Sequence, residues 1–212
     1  MLKLGNILII GDSYSTFRGY NPEGYIYWYG CEDHFKDTDV TKMEECWWHL
    51  LEEAVDGKIV LNESHSGATV CNTERPSIPG TSFIIRTDRL IKQGFFEKNK
   101  IDTVLVLGGT NDSWIDSPIG DFVFEGFNDE NKKDVLPAFA YLLTTLKDTL
   151  PEAKILPIIN CELKPEIMDG FEKISNTLGI SPLRLENVAK LNGHPSIQGM
   201  IQIKDQVLDF LK

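Results

Sequence analysis

The chain has 212 residues, 42% hydrophobic and 25% charged, an ordinary balance for a protein that buries one sizeable core. Its 32 acidic residues outnumber 21 basic ones for a net charge of -11, and no basic cluster interrupts the acidic background, which argues against nucleic acid as a partner. The longest apolar runs are about half a dozen residues, against the roughly 20 that a bilayer-spanning helix needs, so no membrane span is expected.

The first apolar run, Ile7–Ile10 within a candidate strand Asn6–Ile10, is too short for the core of a secretory signal and ends in the turn Gly11-Asp12-Ser13. It reads as a strand, and a cytoplasmic protein is the expectation. A long loop, Tyr14–Val40, follows. Tyr14, Phe17, Tyr20, Tyr25, Tyr27, Trp28 and Tyr29 place seven of the chain's 21 aromatics within its first 16 residues, which suits either a pocket wall or the packing of the loop itself. Thr41 with Glu44 has the pattern of a capping box, and Trp47, Leu50, Leu51 and Ala54 then share one helical face. Lys58–Asn62 is the second strand, followed by Asn62-Glu63-Ser64-His65-Ser66-Gly67-Ala68-Thr69 and a loop at Cys71–Gly80. Thr103–Gly108 is the third, running into Gly108-Gly109-Thr110-Asn111-Asp112. Leu136, Phe139, Ala140, Leu143 and Leu146 mark a helix that Pro151 stops, Lys154–Asn160 is a fourth strand, and Pro165 opens another helix. A weaker strand near Leu183–Leu185 precedes Asn192-Gly193-His194-Pro195-Ser196. A final helix carries Met200, Ile201, Val207, Leu208 and Leu211.

Strands that are apolar throughout suit a parallel sheet covered on both faces, and their alternation with helices predicts a three-layer α/β sandwich. In such sheets ligands sit beyond the carboxyl ends of the strands. No repeat, low-complexity tract or linker divides the chain, so residues 1–212 read as one domain. Cys31, Cys46, Cys71 and Cys161 are too dispersed for a disulfide scaffold. Cys31 with His34 and Cys46 with His49 form two C-x-x-H pairs that could ligate zinc, but the second pair falls on a helix beside two tryptophans, where a buried cysteine is the better reading.

Four segments at strand ends or before the last helix carry residues suited to one chemistry. Ser13 stands at the mouth of strand one, and a serine hydroxyl becomes a nucleophile when a histidine takes its proton, a role His194 could fill. Attack on an ester builds negative charge on oxygen, so donors must already be aimed at it. The backbone N–H groups of Ser13 and Gly67 and the amide of Asn111 are the candidates. Among their neighbours, Asp12 and Asp112 read as loop braces and His65 as a solvated loop histidine. Tyr14, Trp114 and Arg18 are candidate substrate contacts, although Arg18 could equally pair with surface acids.

In order and location, the Gly-Asp-Ser, Gly67, Gly-x-Asn-Asp and Gly-His-Pro-Ser elements resemble those of the SGNH hydrolases, the GDSL-type esterases and lipases, over residues 6 to about 205. The resemblance implies a flavodoxin-like five-stranded parallel sheet of order 2-1-3-4-5 and a Ser13–His194 pair. It also implies an oxyanion hole of Ser13, Gly67 and Asn111, with no metal or organic cofactor. One position departs from the pattern: three residues before the histidine, where the family usually carries an aspartate that orients the imidazole, stands Leu191. A main-chain carbonyl near Leu191 or Asn192 is expected to orient His194, with Glu186 as the alternative third member. The leading expectation is a serine esterase acting on small acyl, foremost acetyl, esters of a small molecule or carbohydrate. A weakened or inactive glycan-binding protein of the same fold is the alternative. A flavodoxin-like protein holding a flavin phosphate on the Ser13–Thr16 loop would leave Asn111 and His194 unexplained.

Overall fold

The computed structural model describes residues 1–212. Its centre is a five-stranded parallel sheet of β1 (Lys3–Gly11), β2 (Asp56–Ser64), β3 (Thr103–Gly108), β4 (Lys154–Ile159) and β5 (Leu183–Arg184), in the order β2-β1-β3-β4-β5. Helices α1 (Trp47–Ala54) and α7 (Ile197–Leu211) cover one face. The other is covered by α2 (Phe83–Lys92), the short α3 (Phe95–Lys98), α5 (Val135–Thr149) and α6 (Pro165–Thr177). A single turn of helix, α4 (Thr110–Trp114), follows β3 directly.

The reason the strands are apolar throughout is visible in β1 and β3. Side chains alternate across a strand, so Ile7, Ile9, Leu105 and Leu107 pack under α1 and α7, against Trp47, Leu51, Met200 and Val207. Leu8, Ile10, Val104 and Val106 pack on the opposite side against Phe83, Leu136, Phe139 and Phe171. Neither face is left to solvent, and a polar residue at any of these positions would be buried without partners.

Local differences from the sequence reading have local causes. The carboxylate that caps the first helical segment is Glu45 rather than Glu44, accepting the N–H groups of Thr41 at 2.8 Å and Lys42 at 3.0 Å. It closes a 3-10 turn at Met43–Glu45, so α1 begins only at Trp47. That offset turns Trp48 inward in place of Leu50 and Ala54. In α7, Ile203 joins Met200, Val207 and Leu211 in the core while Ile201 and Leu208 are half-buried. The helix α2 and a two-stranded antiparallel hairpin, β6 (Lys190–Leu191) with β7 (His194–Pro195), were not anticipated. The hairpin turn is Asn192-Gly193, both with positive φ (46° and 80°), the geometry of the tight turn that an Asn-Gly pair favours.

Strand order sets up the site. β1 lies between β2 and β3, its Gly11 in register with Ser64 on one side and Leu107 on the other. The segments leaving these three strands therefore emerge side by side, where the chain's path across the sheet reverses direction.

Candidate active site

Ser13 opens a 3-10 turn, Ser13–Ser15, immediately beyond β1. Asp12 caps the turn, its carboxylate accepting the N–H of Tyr14 at 3.0 Å. The first N–H groups of such a turn have no partner within it, which leaves the N–H of Ser13 at the mouth of the strand. The Ser13 hydroxyl lies 3.0 Å from Nε2 of His194 across 181 positions of sequence. Nδ1 of the same ring lies 3.3 Å from the carbonyl of Asn192. A carbonyl can only accept, so Nδ1 carries the proton and Nε2 offers its lone pair to the serine hydroxyl. The expected main-chain carbonyl is thus the partner of the ring. Glu186 is not: its side chain is exposed, and its backbone is tied to the side chain of Gln206 on α7.

The second and third segments meet beside this pair. Gly67 has φ +81°, a conformation that glycine adopts without strain, and its N–H donates to no other protein group. Asn111, on α4, donates from Nδ2 to the carbonyl of Ala68 at 3.0 Å, which joins the two segments and leaves its second N–H free. Asp112 braces the same junction, its carboxylate accepting the N–H groups of Val70 at 2.8 Å and Cys71 at 3.2 Å.

Burial shapes the electrostatics. His194 is 5% exposed, and its desolvation pulls the imidazole down to about 4, with the charges of His34 and Lys190 adding to the effect. The ring is therefore neutral and able to accept a proton at neutral pH. Burial pushes Asp12 up to about 7, helped by the nearby Asp112 charge, and raises Asp112 as well. His65 is buried rather than solvated: Nδ1 meets the carbonyl of Ser66 at 2.8 Å, Tyr25 packs on the ring, and desolvation lowers it to about 4.

Three aromatics of the loop act on the histidine and its hairpin. Trp28 stacks flat on His194, ring centroids 3.7 Å apart and planes within 6°, and its other face stacks on His34 at 3.8 Å. Tyr14 and Tyr29 are buried; their hydroxyls donate to the carbonyls of Gly193 at 2.7 Å and Pro195 at 2.8 Å. Tyr14 is therefore a clamp on the hairpin that carries His194, a correction to its expected place as a substrate contact. Asn192 is held from the same loop, donating to the carbonyl of Asp37 at 3.2 Å. Trp114 stands edge-on to His194 at 5.7 Å and is 47% exposed, so it joins the ring to the surface. Arg18 lies apart, exposed and facing Glu32 at 3.7 Å. Of the paired Cys and His residues, Cys46 is fully buried and His34 is engaged by Trp28, so the four do not gather.

One residue that sequence reasoning missed supports the whole site. Arg86, fully buried on α2, donates to the carbonyls of Gly11 at 2.9 Å, Thr81 at 2.7 Å and Glu63, tying the ends of β1 and β2 together. Burial lowers its guanidinium only to about 10, so it stays charged. Its signal was a cation on the apolar face of Phe83-Ile84-Ile85-Arg86. A surface depression of about 590 Å³ beside Lys147, Pro151, Lys154 and Phe210 is at the opposite end of the sheet from these groups.

The profile of the GDSL-like Lipase/Acylhydrolase family matches residues 5–211. A structure from Bacteroides uniformis ATCC 8492, described as a GDSL-like lipase, is 38% identical with a TM-score of 0.86, over 98% of this chain and 95% of that one. Another from Bacteroides ovatus ATCC 8483, with the same description, is 37% identical with a TM-score of 0.88, over 98% of both. Est24, a carbohydrate acetylesterase from Sinorhizobium meliloti, shares the fold at 13% identity and a TM-score of 0.62, over 97% of both chains. A comparison with curated proteins finds no match.

Proposed function

The chain belongs to the GDSL-like lipase/acylhydrolase family and is a carboxylic ester hydrolase, and from that premise we propose that it removes small acyl groups, acetyl foremost, from carbohydrate hydroxyls. The observation that carries this reading is the 3.0 Å approach of Ser13 Oγ to His194 Nε2, with the other ring nitrogen held by a carbonyl. Ser13 Oγ attacks the ester carbonyl as His194 takes its proton. The oxyanion is met by the N–H groups of Ser13 and Gly67 and the free N–H of Asn111. Collapse expels the alcohol, which receives the proton from His194 and leaves an acyl-Ser13 ester. Water, deprotonated by the same imidazole, then releases the carboxylic acid and restores the serine.

The substrate class is supported by the surroundings of the pair. Ser13 is only 2% exposed, which suits an acyl group of one or two carbons better than a long chain. Trp114 offers a half-exposed aromatic face where a sugar ring would lie. A net charge of -11 favours a neutral ester over a polyanionic one. Est24, with the same fold, is described as a carbohydrate acetylesterase. The aspartate missing at Leu191 points toward a non-hydrolytic glycan binder, yet the Asn192 carbonyl keeps the imidazole in the tautomer that hydrolysis needs. The test is acetate release from p-nitrophenyl acetate and acetylated xylan, with fluorophosphonate labelling of the serine. Both activities should vanish in Ser13→Ala, and hydrolysis surviving that change would refute the nucleophile. Saturable glycan binding by a wild type that neither hydrolyses nor labels would favour the binder.

A further inference from the structure

Asn111 is held from both ends. Its Nδ2 donates to the carbonyl of Ala68 at 3.0 Å, and its Oδ1 accepts from Nη2 of Arg75 at 3.3 Å. A guanidinium has only donors and a carbonyl only acceptors, so rotating the amide by half a turn would face N–H against N–H and oxygen against oxygen. The orientation with NH2 beside Gly67 and Ala68 is therefore dictated by the partners, and Arg75 is one of the two that dictate it. A charged donor on Oδ1 also draws electron density from the amide, which strengthens the remaining N–H as a donor.

Three further observations set Arg75 apart. Of the five arginines, Arg18, Arg89 and Arg184 face carboxylates and Arg86 is spent on backbone carbonyls. Arg75 has no acid within ion-pair distance, although the chain carries 32. Its Nε is buried without a partner, a cost that few native donors bear. The side chain also lies against the oxyanion glycine: a Cβ on Gly67 would come within 3.6 Å of Arg75 Cδ and 3.9 Å of Nε. The loop that presents it is fixed in place by the preceding residue, since the Glu74 carboxylate accepts the N–H groups of Gly80, Thr81 and Ser82 at 2.6–2.7 Å.

We propose that Arg75 is a positioning residue of the oxyanion hole: it locks and polarises the Asn111 amide and places an unpaired positive charge where the tetrahedral oxyanion forms. This rests on the reading of Ser13 as nucleophile. Because the charge to be balanced exists only in the transition state, its loss acts on kcat and leaves KM almost unchanged. Direct loss of one oxyanion donor costs about 100- to 1,000-fold in kcat, and a partner acting through Asn111 should cost less, about 10- to 100-fold.

The experiment compares wild type, Arg75→Gln, Arg75→Lys, Arg75→Ala and Ser13→Ala on p-nitrophenyl acetate. It also measures inhibition by phenylboronic acid, which adds to a serine hydroxyl as an anionic tetrahedral adduct. Arg75→Gln should lose about 10- to 100-fold in kcat with KM within about threefold, and its boronate Ki should rise by a similar factor. Arg75→Lys should fall between, and guanidinium ion at millimolar concentration should restore part of the Arg75→Ala activity, which a mere packing role would not allow. Arg75→Gln with kcat and boronate Ki both within twofold of wild type, beside an inactive Ser13→Ala, overturns the role of Arg75 alone. An active Ser13→Ala overturns the nucleophile, and the Arg75 proposal with it. Should Arg75→Gln not fold, the Lys variant and the guanidinium rescue decide the matter, and wild-type kcat in Arg75→Lys with no rescue of Arg75→Ala overturns the proposal.

Discussion

Leu191 offers a way to measure what the absent aspartate would do. It is paired directly with His194 across the hairpin, flanking the Asn192-Gly193 turn. Directly paired residues of an antiparallel ladder project to the same face with Cβ atoms about 5 Å apart. Leu191 is 43% exposed, so Leu191→Asp removes little packing. A carboxylate roughly 5 Å from an imidazolium contributes about 3 kcal/mol at an effective dielectric of about 20, or about two pKa units. The buried base, now pulled down to about 4, should rise to about 6. The sign of the effect on rate then depends on pH. Wild type should hold its kcat/KM down to about pH 4, because a base with that pKa is still unprotonated at pH 5. The variant should lose activity below about pH 6, yet at pH 8, where both bases are neutral, the stronger base should turn over faster by roughly tenfold. The assay is a quenched p-nitrophenyl acetate profile of kcat/KM and kcat from pH 3.5 to 9, with thermal unfolding to verify the fold. An acid limb that stays put in a folded Leu191→Asp would refute the cross-hairpin geometry. A wild-type limb near 6.5 would refute the dominance of burial.

Two other outcomes follow from the same surroundings. Stacking of Trp28 on His194 should favour the imidazolium that forms during attack, by up to about 2 kcal/mol in a desolvated site. Fluorophosphonate labelling should therefore slow in the order Trp28, Trp28→Phe, Trp28→Leu, by up to about 30-fold, and equal rates across the series would exclude it. Asp12, pushed up to about 7 by burial, keeps a proton between about pH 4 and 7 that the unfolded chain has released. Its contribution to stability accordingly falls as pH rises through that window and is constant above it. Asp12→Asn can still accept the N–H of Tyr14 and has no ionisation to suppress, so it should match wild type near pH 4. By pH 8 it should exceed wild type by up to roughly 4 kcal/mol. Unfolding temperatures whose difference does not change between pH 4 and 8 would count against it.

What could be read from the sequence divides along physical lines. Strands buried on both faces announce themselves by continuous apolar runs, so β1 to β5 and the two-sided cover were legible, with ends correct to within a few residues. Groups that emerge from strand ends inherit that legibility, since the order β2-β1-β3 forces the segments bearing Ser13, Gly67 and Asn111 to leave the sheet as neighbours. Tyr14 was misread because a tyrosine in a long loop has two faces to offer, and only tertiary contact decides between ligand and backbone carbonyl. Arg75 and Arg86 left weaker signals, since a guanidinium finds its carbonyl or amide partners far along the chain.

The histidine arrives differently from the other groups, and that explains the loop. Ser13, Gly67 and Asn111 are anchored by strands, whereas His194 rides on a hairpin of two residues per strand that two-stranded pairing alone would not stabilise. In the family pattern an aspartate three residues earlier would hold the ring; here that position is Leu191, and the constraint comes from outside the hairpin. Tyr14 and Tyr29 take the carbonyls of Gly193 and Pro195, Asp37 takes the amide of Asn192, and Trp28 covers the ring face. Each contact crosses more than 150 positions of sequence, so the 3.0 Å approach to Ser13 depends on the Tyr14–Val40 loop being folded. Such clamping fixes the direction of the imidazole, and the carboxylate it brings near, Asp37, raises the ring's proton affinity by less than burial lowers it. A base held this way is well aimed but weak, with its proton affinity set by burial, and this is the balance that Leu191→Asp would shift.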